Sequence, residues 1–299
     1  MTIRFGASPI AWINDDMPEL GGDTPLEKVL QDIREVGFAG VELGGKFPRD
    51  PTRLRGLLDS YDLDLIGGWY SANLLTRSAD AEISALREHL ELLQALGCSV
   101  FVIAETSNAI HGRRDTPLRD SPVLDAEQWK VFGERMTTVA DYVDRHGLRF
   151  AYHFHLGTVV ETADELDKFL THTGPTVGLT LDTGHGALGG IDVLGTLRQS
   201  PERIAHVHCK DVRQGLFQKI MTSGGSFLDG VVEGMFTVPG DGDLNFHPVL
   251  ESLAGMDYSG WVVVEAEQDP AIADPRVYAQ LGLDALRHHA GLAGLKEAA

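Results

Sequence analysis

Residues 149–182 read RFAYHFHLGTVVETADELDKFLTHTGPTVGLTLD: an apolar run, an amphipathic segment, and a second apolar run. The outer pieces, Arg149 to His155 and Val177 to Asp182, have the length and the aromatic and aliphatic content of buried strands. Between them Thr162 opens a helix that carries Leu166, Phe169 and Leu170 on one face. Strand, helix and strand in this order predict a βαβ crossover, which places the two strands parallel in one sheet.

The same unit recurs in both directions along the chain. Strand-length runs occupy Ile3 to Trp12, Gly40 to Gly44, Leu63 to Tyr70, Ser99 to Glu105, Ile204 to Asp211 and Trp261 to Glu267 as well, with helix-length segments between them. Thr24-Pro25 opens the first helix, Leu26, Val29, Leu30 and Ile33 form its stripe, and Gly37 stops it. Eight units in 299 residues are about 37 residues each, the size of the repeat in an α/β (β/α)8 barrel. Residues 1–299 therefore read as one barrel domain. A doubly wound sheet would carry a glycine fingerprint at the first helix, and no G-x-G-x-x-G lies between the first run and Thr24. One connection, at about 213–245 after the seventh strand, is long and dense in glycine (TSGGSFLDGVVEGMFTVPGDGDLNF), and reads as a lid on the catalytic face or a contact between copies.

Lys and Arg number 25 against 44 Asp and Glu, a formal charge of -19, which repels a phosphate backbone and argues against a nucleic-acid partner. Cys98 and Cys209 each sit in an apolar run, as small buried thiols do. The N-terminal residues read as a strand, without the h-region of a signal peptide, and no run approaches 18 apolar residues. The expectation is a reduced, cytoplasmic protein with no membrane partner, and a homo-oligomer by the general prevalence of symmetric assemblies.

In such a barrel the chemistry lies where the strands end. The fifth run ends AYHFH, the sixth LTLDTGH, the seventh HVHCKD and the eighth VVVEAEQ. Side chains alternate along a strand, so one face of each set points inward. Imidazoles and carboxylates that converge on a divalent cation avoid the large penalty of a buried unpaired charge, and His153, Asp182, His208 and Glu265 read as that set. Two His and two carboxylates suit Mn, Co, Fe or Zn better than Mg. His185, three residues past Asp182, can lean back over the site for substrate contact or proton transfer. Trp12, Asn14, Glu42, Lys46, Glu105 and Glu267 are expected to rim the same mouth as substrate contacts, and Trp69 and Tyr70 are candidates for a flat wall. His111, Arg113 and Arg114 read as surface, and Lys210 as either an ion pair with Asp211 or a substrate contact.

This set of strand ends, DTGH on the sixth, HVHCKD on the seventh and a Glu closing the eighth, resembles the xylose-isomerase-like superfamily of sugar isomerases and epimerases, which also includes endonuclease IV. Within it, SPIAWINDDMPELGGDTPLE, GVELGGKFP, YHFHLGTVVET and VVVEAEQDP look like the inosose dehydratases of inositol catabolism, over essentially the whole chain. The resemblance implies a (β/α)8 barrel, a Mn2+ or Co2+ ion on His153, Asp182, His208 and Glu265, and His185 at the substrate. It implies dehydration of a cyclic polyol ketone, 2-keto-myo-inositol (scyllo-inosose), to a trihydroxycyclohexane-1,2-dione. The superfamily's isomerases and epimerases usually carry Glu where this chain has His153, so the paired carboxylates that move a proton between faces are missing. A ketose isomerase or epimerase is the alternative reading. Elimination needs a base, for which Glu265 or His155 is the candidate, and an acid, for which His185 or Lys210 is the candidate.

Overall fold

Alternation sorts the strands into inward and outward residues, and the structure, a computed structural model that describes residues 2–298, closes them into a barrel. The parallel strands are β1 (Thr2–Ala7), β2 (Gly40–Leu43), β3 (Asp64–Ala72), β4 (Val100–Glu105), β5 (Arg149–His153), β6 (Val177–Asp182), β7 (Ile204–Cys209) and β8 (Gly260–Val264). Each pairs with the next, and β8 returns to β1 with Ala7 opposite Val264. The outward residues, among them Phe5, Val41, Ile103, Phe150, Leu181 and Val262, pack beneath the helices in one buried shell. Each fully buried Leu, Ile or Phe there contributes about 1.5–3 kcal/mol relative to exposure.

The inward residues fill the lumen in layers. Ile66, Trp261 and Val263 form one cluster, and Val100, Val102, Ala151 and Ala205 another. These bulky groups require emptiness opposite them: a Cβ on Gly6 would lie 2.1 Å from Ile66 Cδ1, and one on Gly40 2.6 Å from the Trp261 ring. The next inward layer toward the C-terminal ends is polar, and it holds Glu42, His153, Asp182 and His208. The register sets His153 beside Thr180 and Asp182 beside His208.

The helices follow the local signals. Gly37, in the left-handed conformation at φ 103°, ends the helix Leu26–Val36, and a reciprocal Thr162–Glu165 capping box starts Ala163–His172. Several strands stop earlier than their apolar runs. After Ala7 the chain turns through a short 3-10 helix, Pro9–Ala11, because Pro9 has no N–H to give the ladder.

The glycine-dense connection after β7 is built rather than loose. It holds the helices Gln214–Ser223 and Phe227–Glu233, and then Phe236–Thr237 paired antiparallel with Asp211–Val212. Its glycines are partly helix stops: Gly224 at φ 73° and Gly234 at φ 80°. Asp211 straps the far end by accepting hydrogen bonds from the backbone N–H groups of Val212, Gly240, Gly242 and Leu244. Phe227, Val231, Met235 and Phe236 are buried with Met17, Leu118 and Leu156 in a cluster of their own. Cys98 and Cys209 are free and buried. No helix among the described residues is long and apolar enough to cross a membrane.

Candidate active site

A cavity of about 800 Å³, its open mouth included, lies over the polar layer. Glu42, His153, His155, His208, Glu265 and Glu267 line its floor, Trp69, Ser71 and Ile10 its sides, and Asp15, Asp16 and His111 its rim. Five of the lining residues are carboxylates, and none of those described is Lys or Arg.

On the floor, one donor atom from each of His153, Asp182, His208 and Glu265 lies within 4.8 Å of all the others. His153 Nε2 is 3.3 Å from His208 Nδ1 and 3.7 Å from Asp182 Oδ2. Glu265 Oε2 is 2.9 Å from His208 Nδ1. Asp182 Oδ1 caps the next helix by accepting from the His185 N–H at 2.7 Å, which leaves Oδ2 buried with no hydrogen-bond partner. An orphaned carboxylate oxygen among imidazole nitrogens and a second carboxylate is what a divalent cation satisfies, so this donor set fits one.

Glu42 supports the set from behind. Its Oε1 accepts from His206 Nε2 at 3.0 Å and from His208 Nε2 at 2.9 Å. The latter bond places a proton on Nε2 of His208 and turns Nδ1 toward the donor cluster, the carboxylate–histidine arrangement that orients metal ligands. Burial pushes the Glu42 carboxyl up, but the two imidazoles outweigh it and hold it at about 2. For His208, burial opposes the charged ring while Glu42 and Glu265 favour it more, so its pKa rises well above the imidazole range.

A second group adjoins the first. The DTGH segment assembles it: Thr183 Oγ1 donates to the Lys210 carbonyl at 2.7 Å, and Gly184 leaves room for the lysine stem, since a Cβ there would lie 2.8 Å from Lys210 Cγ. Lys210 Nζ then sits 2.7 Å from Glu265 Oε1, 2.7 Å from Glu267 Oε1 and 2.9 Å from His185 Nε2, over the face of Phe236. His155 donates through Nδ1 to the Leu156 carbonyl at 2.7 Å, which leaves Nε2 as its unprotonated nitrogen. Burial, then the neighbouring His111, His153 and Lys210, push its pKa well below the imidazole range. Burial moves Glu267 the other way, to about 7, against the pull of Lys210. Its Oε2 has no partner.

Several expected residues do not reach the cavity. Trp12 follows the Pro9–Ala11 turn and points into the outer shell, where Nε1 donates to Asp32 Oδ2. Asn14 is buried; its Oδ1 accepts from the Asp16 and Met17 N–H groups, which shapes the turn that presents Asp15 and Asp16. Lys46 is exposed and donates to the carbonyls of Gly22 and Thr24. Glu105 has the outward parity of β4, opposite to Val100 and Val102, and accepts from the Leu74 and Ser107 N–H groups. His185 and Lys210 are fully buried behind the cavity wall. Tyr70 faces out to Glu82, whereas Trp69 faces in, edge-on to His153 and His155.

His111 and Phe227 are among the residues outside the expected set that belong to the site. His111 is a rim residue rather than a surface one, 4.9 Å from the His155 ring, because the loop after β4 docks on the loop after β5 through Ile110 N–H to the Gly157 carbonyl. Phe227 covers His155 and His185 at centroid distances of 5.1 and 6.1 Å. The only sequence signals for these were a histidine in a polar loop and an aromatic in the glycine-dense connection.

The xylose isomerase-like TIM barrel family matches residues 30–289. The chain is 45% identical over 296 residues to the rhizopine catabolism protein MocC of Rhizobium meliloti, covering 99% of this chain and 91% of that one. It is 40% identical over 292 residues to an inosose dehydratase of Geobacillus thermodenitrificans, covering 97% and 98%. Among solved structures, a D-psicose 3-epimerase shares the fold with a TM-score of 0.69 at 16% identity, over 97% of this chain and 100% of that one.

Proposed function

The chain belongs to the xylose isomerase-like TIM barrel family, and on that premise we propose that it is a divalent-metal-dependent hydro-lyase that converts 2-keto-myo-inositol to a trihydroxycyclohexane-1,2-dione and water. The observation that carries this reading is a pair of titratable groups facing one cavity with their pKa values pushed apart. His155 stays neutral with a free Nε2, and Glu267, 3.9 Å away, holds its proton up to about 7. One is suited to take a proton and the other to give one.

His153, Asp182, His208 and Glu265 would hold the cation, with Mn2+ or Co2+ favoured by the nitrogen and oxygen donors. A bound divalent ion supplies Lewis acidity to a ketone oxygen, which acidifies the neighbouring C–H. His155 Nε2 takes that proton, the C–H electron pair becomes the new C=C bond, and the C–O bond to the β-hydroxyl breaks. Glu267 gives its proton to the departing oxygen, so water leaves, and the enol product tautomerises to the dione. Lys210, hydrogen-bonded to Glu267 Oε1, orients that carboxyl, and His185 steadies Lys210. Of the two candidate bases this keeps His155 rather than Glu265, which belongs to the proposed donor quartet, and Glu267 takes the acid's place from His185 and Lys210, both walled off from the cavity.

Trp69 offers a flat face to the ring, and Ser71, His111, Asp15 and Asp16 offer polar groups to its hydroxyls. With carboxylates and no Lys or Arg in the lining, the cavity suits an uncharged polyol rather than a phosphorylated sugar. The name of the Geobacillus relative, and His153 in place of a second acid–base carboxylate, favour elimination over epimerisation. Two buried free thiols fit a reducing, cytoplasmic setting. The test is chelation, reconstitution with Mn2+ or Co2+, and addition of 2-keto-myo-inositol. Metal-dependent growth of dione absorbance, lost in His155→Gln, is the expected result; no absorbance with either metal overturns the reading.

A further inference from the structure

The donor quartet is not the only metal-sized cluster on the floor. His155, His185 and Glu267 also bring one donor atom each within 4.8 Å of one another. The two clusters adjoin, and Glu265 spans them: Oε2 meets His208 Nδ1 at 2.9 Å and Oε1 meets Lys210 Nζ at 2.7 Å. A carboxylate with one oxygen on each of two cationic centres is the bridge of a dinuclear metal site. Here the second centre is an ammonium. Lys210 Nζ lies 2.7 Å from Glu267 Oε1, 2.9 Å from His185 Nε2 and 3.9 Å from Asp182 Oδ2, so it takes up donors that a second ion would need.

We infer that Lys210 is a built-in second cation: its ammonium fills a latent second metal position formed by His155, His185, Glu267 and Glu265 and keeps the centre mononuclear. The inference rests on the quartet's being a metal site. The carboxylates of Asp182 and Glu265 within 3.9 Å of Nζ, and that of Glu267 once it has given up its proton, require a positive charge there, and a fixed lysine supplies it at any metal concentration. The exchange also has a chemical consequence. A second metal would bring another Lewis acid but no N–H groups, whereas the ammonium brings hydrogen-bond donors to Glu267, the residue that must lose a proton to the departing hydroxyl. Gly184 and Thr183 are the fixtures that admit the lysine stem and pin its backbone.

The experiment counts ions. Chelated wild-type protein, Lys210→Met and Lys210→Gln are dialysed against rising Mn2+, bound manganese per folded chain is measured by mass spectrometry, and the EPR spectrum is recorded, with circular dichroism checking the fold. Wild type is expected to saturate at one ion with an uncoupled spectrum. The lysine variants should rise to two with a spin-coupled spectrum, and adding Glu267→Gln to Lys210→Met should return the count to one. Two ions on wild type overturn the inference, as does a folded lysine variant that stays at one. Wild type that takes up no ion overturns the metal-site reading instead.

Discussion

Glu42 is not among the four proposed donors, yet Glu42→Gln should weaken cation binding. The carboxylate Oε1 receives both His206 Nε2 and His208 Nε2, at 3.0 and 2.9 Å, and its charge is what favours a proton on the far nitrogen of His208 and electron density on Nδ1. A glutamine keeps the volume and one carbonyl acceptor but loses the charge. Such partners are worth about 10–100-fold in metal affinity, or about 1.4–2.8 kcal/mol. At saturating metal the same loss appears in thermal stability. An unfolding entropy of about 2.1 cal/mol/K per residue over 299 residues gives about 0.6 kcal/mol/K, so the metal-induced rise in Tm should shrink by about 2–4 °C. Proton competition gives a second signature. His208 has a raised pKa and must shed a proton to bind metal, so wild-type affinity should climb with pH; with Glu42 gone the ring holds its proton less tightly and the slope should flatten. Isothermal titration with Mn2+ between pH 6 and 8, with Glu265→Gln as the control that removes a ligand, reads both. Wild-type affinity in Glu42→Gln, within twofold across that range, would refute the argument that Glu42 tunes the site through His208.

His155→Gln should lower kcat by about 10²–10⁴ while bound Mn2+ per chain stays unchanged, which rate and metal assays on one preparation check. For pH dependence, Glu267 acts in its protonated form, so kcat/KM should fall as pH rises through about 7; Glu267→Gln should remove that limb along with most of the rate. Gly157→Ala forces φ +79° on a residue with a side chain and puts its Cβ 2.9 Å from the His111 N. It should cost about 1–3 kcal/mol in denaturant unfolding and raise KM more than it lowers kcat, because His111 sits on the rim.

The strand alternation that made the quartet legible also explains where reading the sequence went astray. His153, Asp182 and His208 are the last inward positions of their strands and Glu265 directly follows β8, so local parity was enough to bring these four side chains together. Glu105 ends a strand too, but Val100 and Val102 fix the inward parity of β4, and Glu105, an odd number of residues on, points its carboxylate outward. Trp12 and Lys46 lie past the last paired residue, where alternation no longer governs and a proline turn or a neighbouring carbonyl decides the direction. His111 and Phe227 depend on something no local pattern carries. One is placed by a loop that docks on Gly157, and the other by two short helices that bury a separate apolar cluster against the barrel mouth. The ionisable groups divide on the same line. Those on strands are held by neighbouring strands, whereas His155 and Glu267 owe their opposed pKa shifts first to burial, His155 beneath Phe227. On the proposed reading the barrel strands would supply the metal donors, while the proton transfer would depend on how the connection after β7 packs over His155, so changes to Phe227 should alter rate before they alter metal content.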